Sequence, residues 1–345
     1  MKNSIALDGK VIGDGQPVYI IAEIGGNFLD IDTAARMVDL AKDAGADAVK
    51  VQHYRAETVT SKQAFFDMEN TGVLSQFELF KKYEMKEELT TALVNYCRKK
   101  QIAVFSTPSH PSDADALVKY DMPAYKIGSD DAVNIPFLKH VARLKKPMLV
   151  STGMCTLSEV EKSVDAILEE GNDDIVLLHC TTNYPTHPES VNLRAMLSMQ
   201  ARCPFPVGYS DHTIGIDTCY AAAVLGAKVL EFHFTYDKKA EGPDHMLSKD
   251  FEETRTLIKK VRQLPILLGD GVKRPMPTEM NTRRNNRKSI VLTKDVSSGE
   301  KLTQQNIDIK RPGYGIPCAH YYEVLGKTAS RDLKADAVLS WSDLA

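Results

Sequence analysis

Eight short apolar runs recur between residues 19 and 234: YIIAEIG, AVKVQHY, IAVFSTP, AYKIGS, PMLVSTG, IVLLHCTT, FPVGYSD and KVLEFHF. Amphipathic stretches lie between most of them, including Thr33 to Ala44, Lys86 to Lys100, Leu157 to Glu170 and Gly215 to Leu225, with apolar residues three or four apart. Strand-like runs alternating with helical ones spell βα units and a parallel sheet. Near-continuous runs such as IVLL predict burial on both faces, and eight repeats fit a closed (β/α)8 barrel better than an open, doubly wound sheet. The opening SIALDGKVIGDGQPVYI reads as a hairpin ahead of the first unit.

In such a barrel the chemistry collects where the strands end. The runs end in Glu23 and Asn27, Lys50 and Gln52, Ser106, Lys126 and Ser129, Ser151, Thr182 and Tyr184, Asp211 and His212, and Glu231 and His233. Any one of these is explained by a strand end reaching solvent. The set as a whole predicts a polar rim.

His212 and His233 follow the seventh and eighth strands, where two imidazoles can share one divalent metal. Two hydrogen-bonded core histidines are the alternative. Three protein ligands are usual for catalytic zinc, so water or substrate has to complete a two-histidine site. Such a site suits a Lewis acid that polarises a carbonyl, with Glu231, Asp211 and Glu23 near enough to orient ligands or move protons. Lys50 and Lys126 sit among apolar neighbours, where an unpaired charge is costly and a bound anion offsets the cost. Arg311 is a further anion-binding candidate, since guanidinium grips carboxylates in bidentate fashion. A strand-end lysine is also the nucleophile of Schiff-base aldolases, which keeps a pyruvate-dependent lyase using Lys126 open. Asp244, in the GPDH segment after the last run, is suited to accept hydrogen bonds from sugar hydroxyls.

At 345 residues the chain holds one large barrel, residues 1–270, and a smaller module. The stretch 271–287, rich in Pro, Asn and Arg, reads as a linker. Residues 288–345 carry short β-prone pieces between Ser-Gly and Pro-Gly turns, too few for a sandwich, and read as a compact β-rich module. A net charge of -3 gives no broad basic field, so no nucleic-acid partner is expected. No uncharged apolar run nears the roughly 18 residues that span a bilayer, so no membrane association is expected. The six cysteines lack CxxC spacing, and MKNSIALDGK lacks the apolar region of a signal peptide, which together predict a cytoplasmic protein with reduced thiols.

Taken in order, IAEIGGN, DAVKVQ, FSTP, YKIGS, STGM, HCTTNYP, GYSDHTIG, LEFHFT and GPDH resemble the sialic acid synthase family. The tail RKSIVLTKDVSSGEKLTQQNIDIKRPGYGI is similar to the antifreeze-like, or SAF, domain of its bacterial members, so the resemblance covers nearly all of the chain. It implies a transferase that condenses phosphoenolpyruvate with the open-chain aldehyde of an N-acetylmannosamine-type sugar, releasing phosphate by C-O cleavage with the help of manganese or magnesium. The metal would then sit on His212 and His233, with Glu23 handling protons. Phosphoenolpyruvate would be held by Lys50, Lys126, Ser129, Ser151 and Thr182, and the sugar would lie near Gln52, Asp131, Tyr184 and Asp244. The resemblance further implies a domain-swapped homodimer, in which the SAF domain of one subunit delivers Arg311, in KRPG, to the partner's sugar. Phe28 stands where many members have histidine after the asparagine, and Asp131, in GSDD, stands where a well-known branch of the family places glutamate near the sugar. A non-catalytic carbohydrate-binding protein is the remaining alternative from a different class.

Overall fold

A computed structural model describes residues 3–68 and 72–345. Two compact units emerge, Met1–Leu267 and Leu268–Ala345.

The first unit opens with the expected hairpin, β1 (Ser4–Leu7) and β2 (Lys10–Gly13), turned by Asp8 and Gly9 at positive φ. Its Ile5, Leu7 and Ile12 are buried in the same core as the barrel. Eight parallel strands then close on themselves: β3 (Tyr19–Glu23), β4 (Ala48–His53), β7 (Ala103–Pro108), β8 (Tyr125–Ile127), β9 (Met148–Ser151), β10 (Ile175–His179), β11 (Val207–Asp211) and β12 (Val229–His233). The intervening β5 (Phe65–Met68) and β6 (Gly72–Ser75) form a separate hairpin after β4. Each of the eight apolar runs holds one barrel strand, and all five residues are buried in β3, β10, β11 and β12, as expected for strands covered on both faces.

Helices form where the period of three to four predicts them: Ile31–Ala44, Glu87–Lys100, Leu157–Glu169 and Asp217–Val224. Local chemistry fixes their ends. Asp30 caps the first by accepting from the Thr33 N–H at 2.8 Å, and Gly45, at φ 100°, ends it in the left-handed conformation. Thr156 and Glu159 form a reciprocal capping box at the start of the third.

Register sets the site. Across β12, β3 and β4, His233 pairs with Glu23 and Glu23 with Lys50, so three chemistry-bearing side chains stand in one row at the C-terminal rim. Ser210 is likewise opposite Glu231 across β11 and β12.

The second unit gathers Ile290, Leu292, Val296, Leu302, Ile307, Ile316, Val324 and Leu339 into its own core, around the antiparallel pair of β13 (Ser289–Leu292) and β14 (Ile307–Lys310). The stretch expected to be a linker contains the short helix Met280–Asn286, exposed throughout, which explains why no apolar period marked it.

Candidate active site

Inside the barrel mouth lies a cavity of about 430 Å3, within the range usual for small-molecule sites. Lys50, Gln52, Lys126, Ser129, Ser151 and Thr182 line it, as do Tyr184, His212, Glu231, His233 and Asp244.

Both lysines are buried and both are paired. Lys50 Nζ forms an ion pair with Glu23 and donates to Thr107 Oγ1 at 3.0 Å. Lys126 Nζ donates to Ser151 Oγ at 2.6 Å and lies 3.3 Å from Glu231 Oε1, which also accepts from Ser210 Oγ at 3.0 Å. Burial pushes the Lys50 ammonium down to about 7, against the pull of Glu231. Burial tends to raise the Glu231 carboxyl, but Lys126 and Lys50 outweigh it and hold it below the usual glutamate range. Its Oε2 is buried without a hydrogen-bond partner. A buried, ionised oxygen with free lone pairs is suited to accept a proton.

Glu23 stands just behind the lining, with Oε1 accepting from the Gly25 N–H at 2.5 Å and Oε2 against Lys50. Ser129 Oγ accepts from the Gly153 N–H at 3.0 Å and lies 3.0 Å from Cys180 Sγ, while Thr182 Oγ1 is buried without a partner.

The two histidine rings have centroids 5.5 Å apart, with Tyr184 against both. His212 Nδ1 lies 2.8 Å from the Thr181 carbonyl oxygen, an acceptor only, so this nitrogen carries the proton and Nε2 the lone pair. Burial holds both imidazoles below their ordinary pKa, and hence neutral near pH 7. His233 Nδ1 is buried without a hydrogen-bond partner, with Asp244 Oδ2 3.4 Å away. Two neutral imidazoles, one with its tautomer fixed by a carbonyl, fit a divalent cation completed by oxygen ligands. Among the described residues no group of three His, Cys, Asp or Glu forms a fuller cage. Burial pushes the Asp244 carboxyl up to about 7, against the opposing charge of Lys50.

Asp211 is turned from the cavity toward its neighbours, where it can orient the histidines. It is not in the cavity lining; it accepts from Lys249 Nζ at 2.7 Å, from the Thr213 backbone and hydroxyl, from Tyr209 and from Cys219. Lys249 N–H in turn donates to the His233 carbonyl at 2.8 Å, so this buried ion pair fastens the segments carrying the two histidines. Lys249 lies in a loop without strand periodicity, and only its place in the fold reveals it. Asp131 is outside the lining too, accepting from Asn134 at 2.9 Å, and its neighbour Asp130 lines the cavity instead. Arg311 is exposed in the second unit, just after β14. Sequence reasoning missed the wall of Tyr54, Val59, Phe66, Leu79, Phe80 and Tyr83, contributed by the segment after β4.

A closed parallel barrel whose C-terminal mouth joins two buried lysines, two buried carboxylates and two neutral imidazoles defines a barrel enzyme for anionic substrates. The family model for the NeuB family matches residues 37–273, and that for the SAF domain residues 287–345. N,N'-diacetyllegionaminic acid synthase of Campylobacter jejuni is 38% identical over 93% of this chain and 98% of its own length. The enzyme of the same name from Legionella pneumophila is 37% identical, covering 97% of each chain. The crystal structure of N-acetylneuraminic acid synthetase from Leptospira borgpetersenii, in complex with citrate, superposes with a TM-score of 0.72 at 30% identity, covering 82% of this chain and 95% of that one. The chain belongs to the NeuB family, and it is a synthase of the transferase class that forms carbon–carbon bonds. The non-catalytic alternative is thereby set aside.

Proposed function

We propose that this enzyme condenses phosphoenolpyruvate with the open-chain aldehyde of N-acetylmannosamine or a related 2-acetamido sugar and with water, giving a nine-carbon 2-keto-3-deoxy acid and phosphate. The observation that carries this reading is the convergence of two buried, carboxylate-paired lysines and two neutral imidazoles on one cavity. The synthase relatives support it independently.

In the reaction the alkene carbon of phosphoenolpyruvate bonds to the aldehyde carbon, and the aldehyde oxygen takes up a proton. Water adds at the oxocarbenium-like C2, gives up its protons, and the C2–O bond to phosphate breaks. Lys50 and Lys126, with Ser129, Ser151 and Thr182, offset the charge of the phosphate and carboxylate. Glu231, held ionised with a free oxygen, accepts the proton of the adding water, and Glu23 keeps Lys50 aligned and handles the second transfer. Gln52, Tyr184 and Asp244 face the sugar. Asp130, in the lining, is a stronger candidate for the sugar than Asp131, which touches the site only through the same turn. His212 and His233 would hold a manganese or magnesium ion, which when bound supplies Lewis-acid polarisation of the aldehyde oxygen.

Arg311 completes the acceptor site from the SAF domain of a domain-swapped partner in this reading. No described helix is long and apolar enough to cross a membrane. A cytoplasmic setting is part of this reading, supported by six cysteines that are all free thiols. The test is phosphate release from phosphoenolpyruvate with manganese across a panel of amino sugars, with mass detection of the product. A nine-carbon acid formed with stoichiometric phosphate supports the reading. No release with any sugar from metal-loaded protein overturns it.

A further inference from the structure

Asn27 follows the first apolar run but does not line the cavity. Its side chain is buried and reaches the loop that follows β12. Nδ2 donates to the Phe234 carbonyl at 3.0 Å and to Ser248 Oγ at 3.1 Å, which uses both of its hydrogens. The Ser248 hydroxyl gives its own proton to the Asp244 carbonyl at 2.6 Å, so toward Asn27 it is the acceptor. The Ser248 N–H reaches the same carbonyl at 3.0 Å. A buried chain of hydrogen bonds therefore runs from the end of β3 through Ser248 to the backbone of Asp244.

Gly26, the residue before Asn27, completes the clasp. Its φ of 75° is a left-handed conformation that glycine adopts without strain, and a Cβ there would lie 3.3 Å from Asp244 Oδ2. The carboxylate can thus settle against the β3 loop while it lines the cavity, 3.4 Å from His233 Nδ1. A second tether, between Thr235 Oγ1 and His245 Nδ1 at 2.6 Å, holds the other flank of Asp244.

We propose that Asn27 is a positioning residue, acting through Ser248 to hold Asp244 where the acceptor sugar meets it. This rests on the synthase reading above, in which Asp244 faces the sugar. A carboxylate carried on a loop binds best when the loop is ordered beforehand, because ordering it on binding subtracts from the affinity. Truncating Asn27 takes both donors from the Phe234 carbonyl and the Ser248 hydroxyl, while the tether between Thr235 and His245 remains. The expected loss is that of about one net hydrogen bond, about 3- to 10-fold in the grip on the sugar.

Two measurements test this. Hydrogen–deuterium exchange needs no substrate: in Asn27→Ala the peptide covering Asp244 to Lys249 should exchange faster, with the barrel-strand peptides unchanged. Phosphate release is then followed with manganese, phosphoenolpyruvate and either N-acetylmannosamine or its 2,4-diacetamido-2,4,6-trideoxy analogue, whichever the wild type turns over faster. Asn27→Ala should raise the acceptor KM about 3- to 10-fold and leave kcat and the phosphoenolpyruvate KM unchanged. Ser248→Ala, which removes only a hydroxyl, should act in the same direction and carries the test where Asn27→Ala folds poorly. In an Asp244→Ala background Asn27→Ala should add nothing to the acceptor KM, whereas a residue that merely stabilises the barrel adds its full effect. Unchanged loop exchange, or full additivity with Asp244→Ala, overturns the inference and leaves the synthase reading standing. No release by the wild type from either sugar overturns both.

Discussion

Lys50 is the residue most exposed to a pH test. Its ammonium is pushed down to about 7 by burial, below the ordinary lysine value, so at pH 8 the free enzyme holds a large share of it neutral. A bound phosphoenolpyruvate anion favours the charged form and raises that pKa. Binding therefore takes up a proton above pH 7, and affinity falls as pH rises through 7 to 9, by at most about tenfold per unit for one coupled proton. Calorimetry in buffers of different ionisation heat measures the uptake directly. Binding with no proton exchange at pH 8 would show that Lys50 does not meet the anion. The Lys126–Glu231 pair makes a different prediction, because both partners are buried. Lys126→Met removes the stronger of the two cations that hold Glu231 ionised, leaving only Lys50, and should destabilise the fold by up to about 3–5 kcal/mol. Adding Glu231→Gln should restore most of that in urea titrations while activity stays lost. A double variant no more stable than the single would mean the pair is not coupled. The lysine also donates to Ser151, an arrangement that a Schiff-base amine would have to give up. Borohydride with pyruvate should accordingly leave the protein mass unchanged.

At the scale of strands and helices, the barrel was legible because each apolar run carries its own burial requirement, and the rim residues followed from the rule that chemistry sits at strand ends. The histidine pair and both lysines could be picked out for that reason. The aromatic wall could not. Phe66, Leu79 and Phe80 face a cavity instead of the core, so their spacing obeys the shape of the pocket and not the period of the hairpin or helix. Asp130 and Asp131 show the same limit at finer grain, since adjacent residues in a turn point in different directions that sequence does not record. Close strand approach is a further feature that composition hides. At Gly208 in β11 an added Cβ would lie 2.5 Å from the Val229 carbonyl oxygen and 2.8 Å from Leu178 Cδ2, both in fully buried strands. Neither the backbone oxygen nor the packed leucine has room to yield. Gly208→Ala should therefore cost about 1–3 kcal/mol of stability, the usual range for overpacking, seen as a lower urea midpoint. An unchanged midpoint would mean that β11 and β12 slide apart freely, which would also loosen His212 and His233.

For the whole molecule the decisive question is whether the second unit completes the catalytic site of a partner. Its core of Ile290, Leu302, Ile316 and Leu339 is separate from that of the barrel, and Arg311 lies exposed beside β14, with no ion pair to its guanidinium among the described residues. An arginine left open to solvent is a weak structural element and a strong anion or carbonyl binder, which is why Arg311→Ala should raise the acceptor KM with little loss of stability. Delivery across a domain-swapped dimer predicts more than that. Arg311→Ala and Lys126→Ala damage the site through different units, so a heterodimer of the two carries one site with both defects and one with neither. Random reassortment makes about half of the dimers mixed, each with one intact site, so the two variants unfolded and refolded together, and assayed at an acceptor concentration too low to saturate Arg311→Ala, should regain about a quarter of wild-type activity. Each variant refolded alone supplies the baseline. Recovery to that level identifies the exchange of Arg311 between subunits. A mixture no more active than the average of its parents means that each chain's arginine serves its own barrel or none.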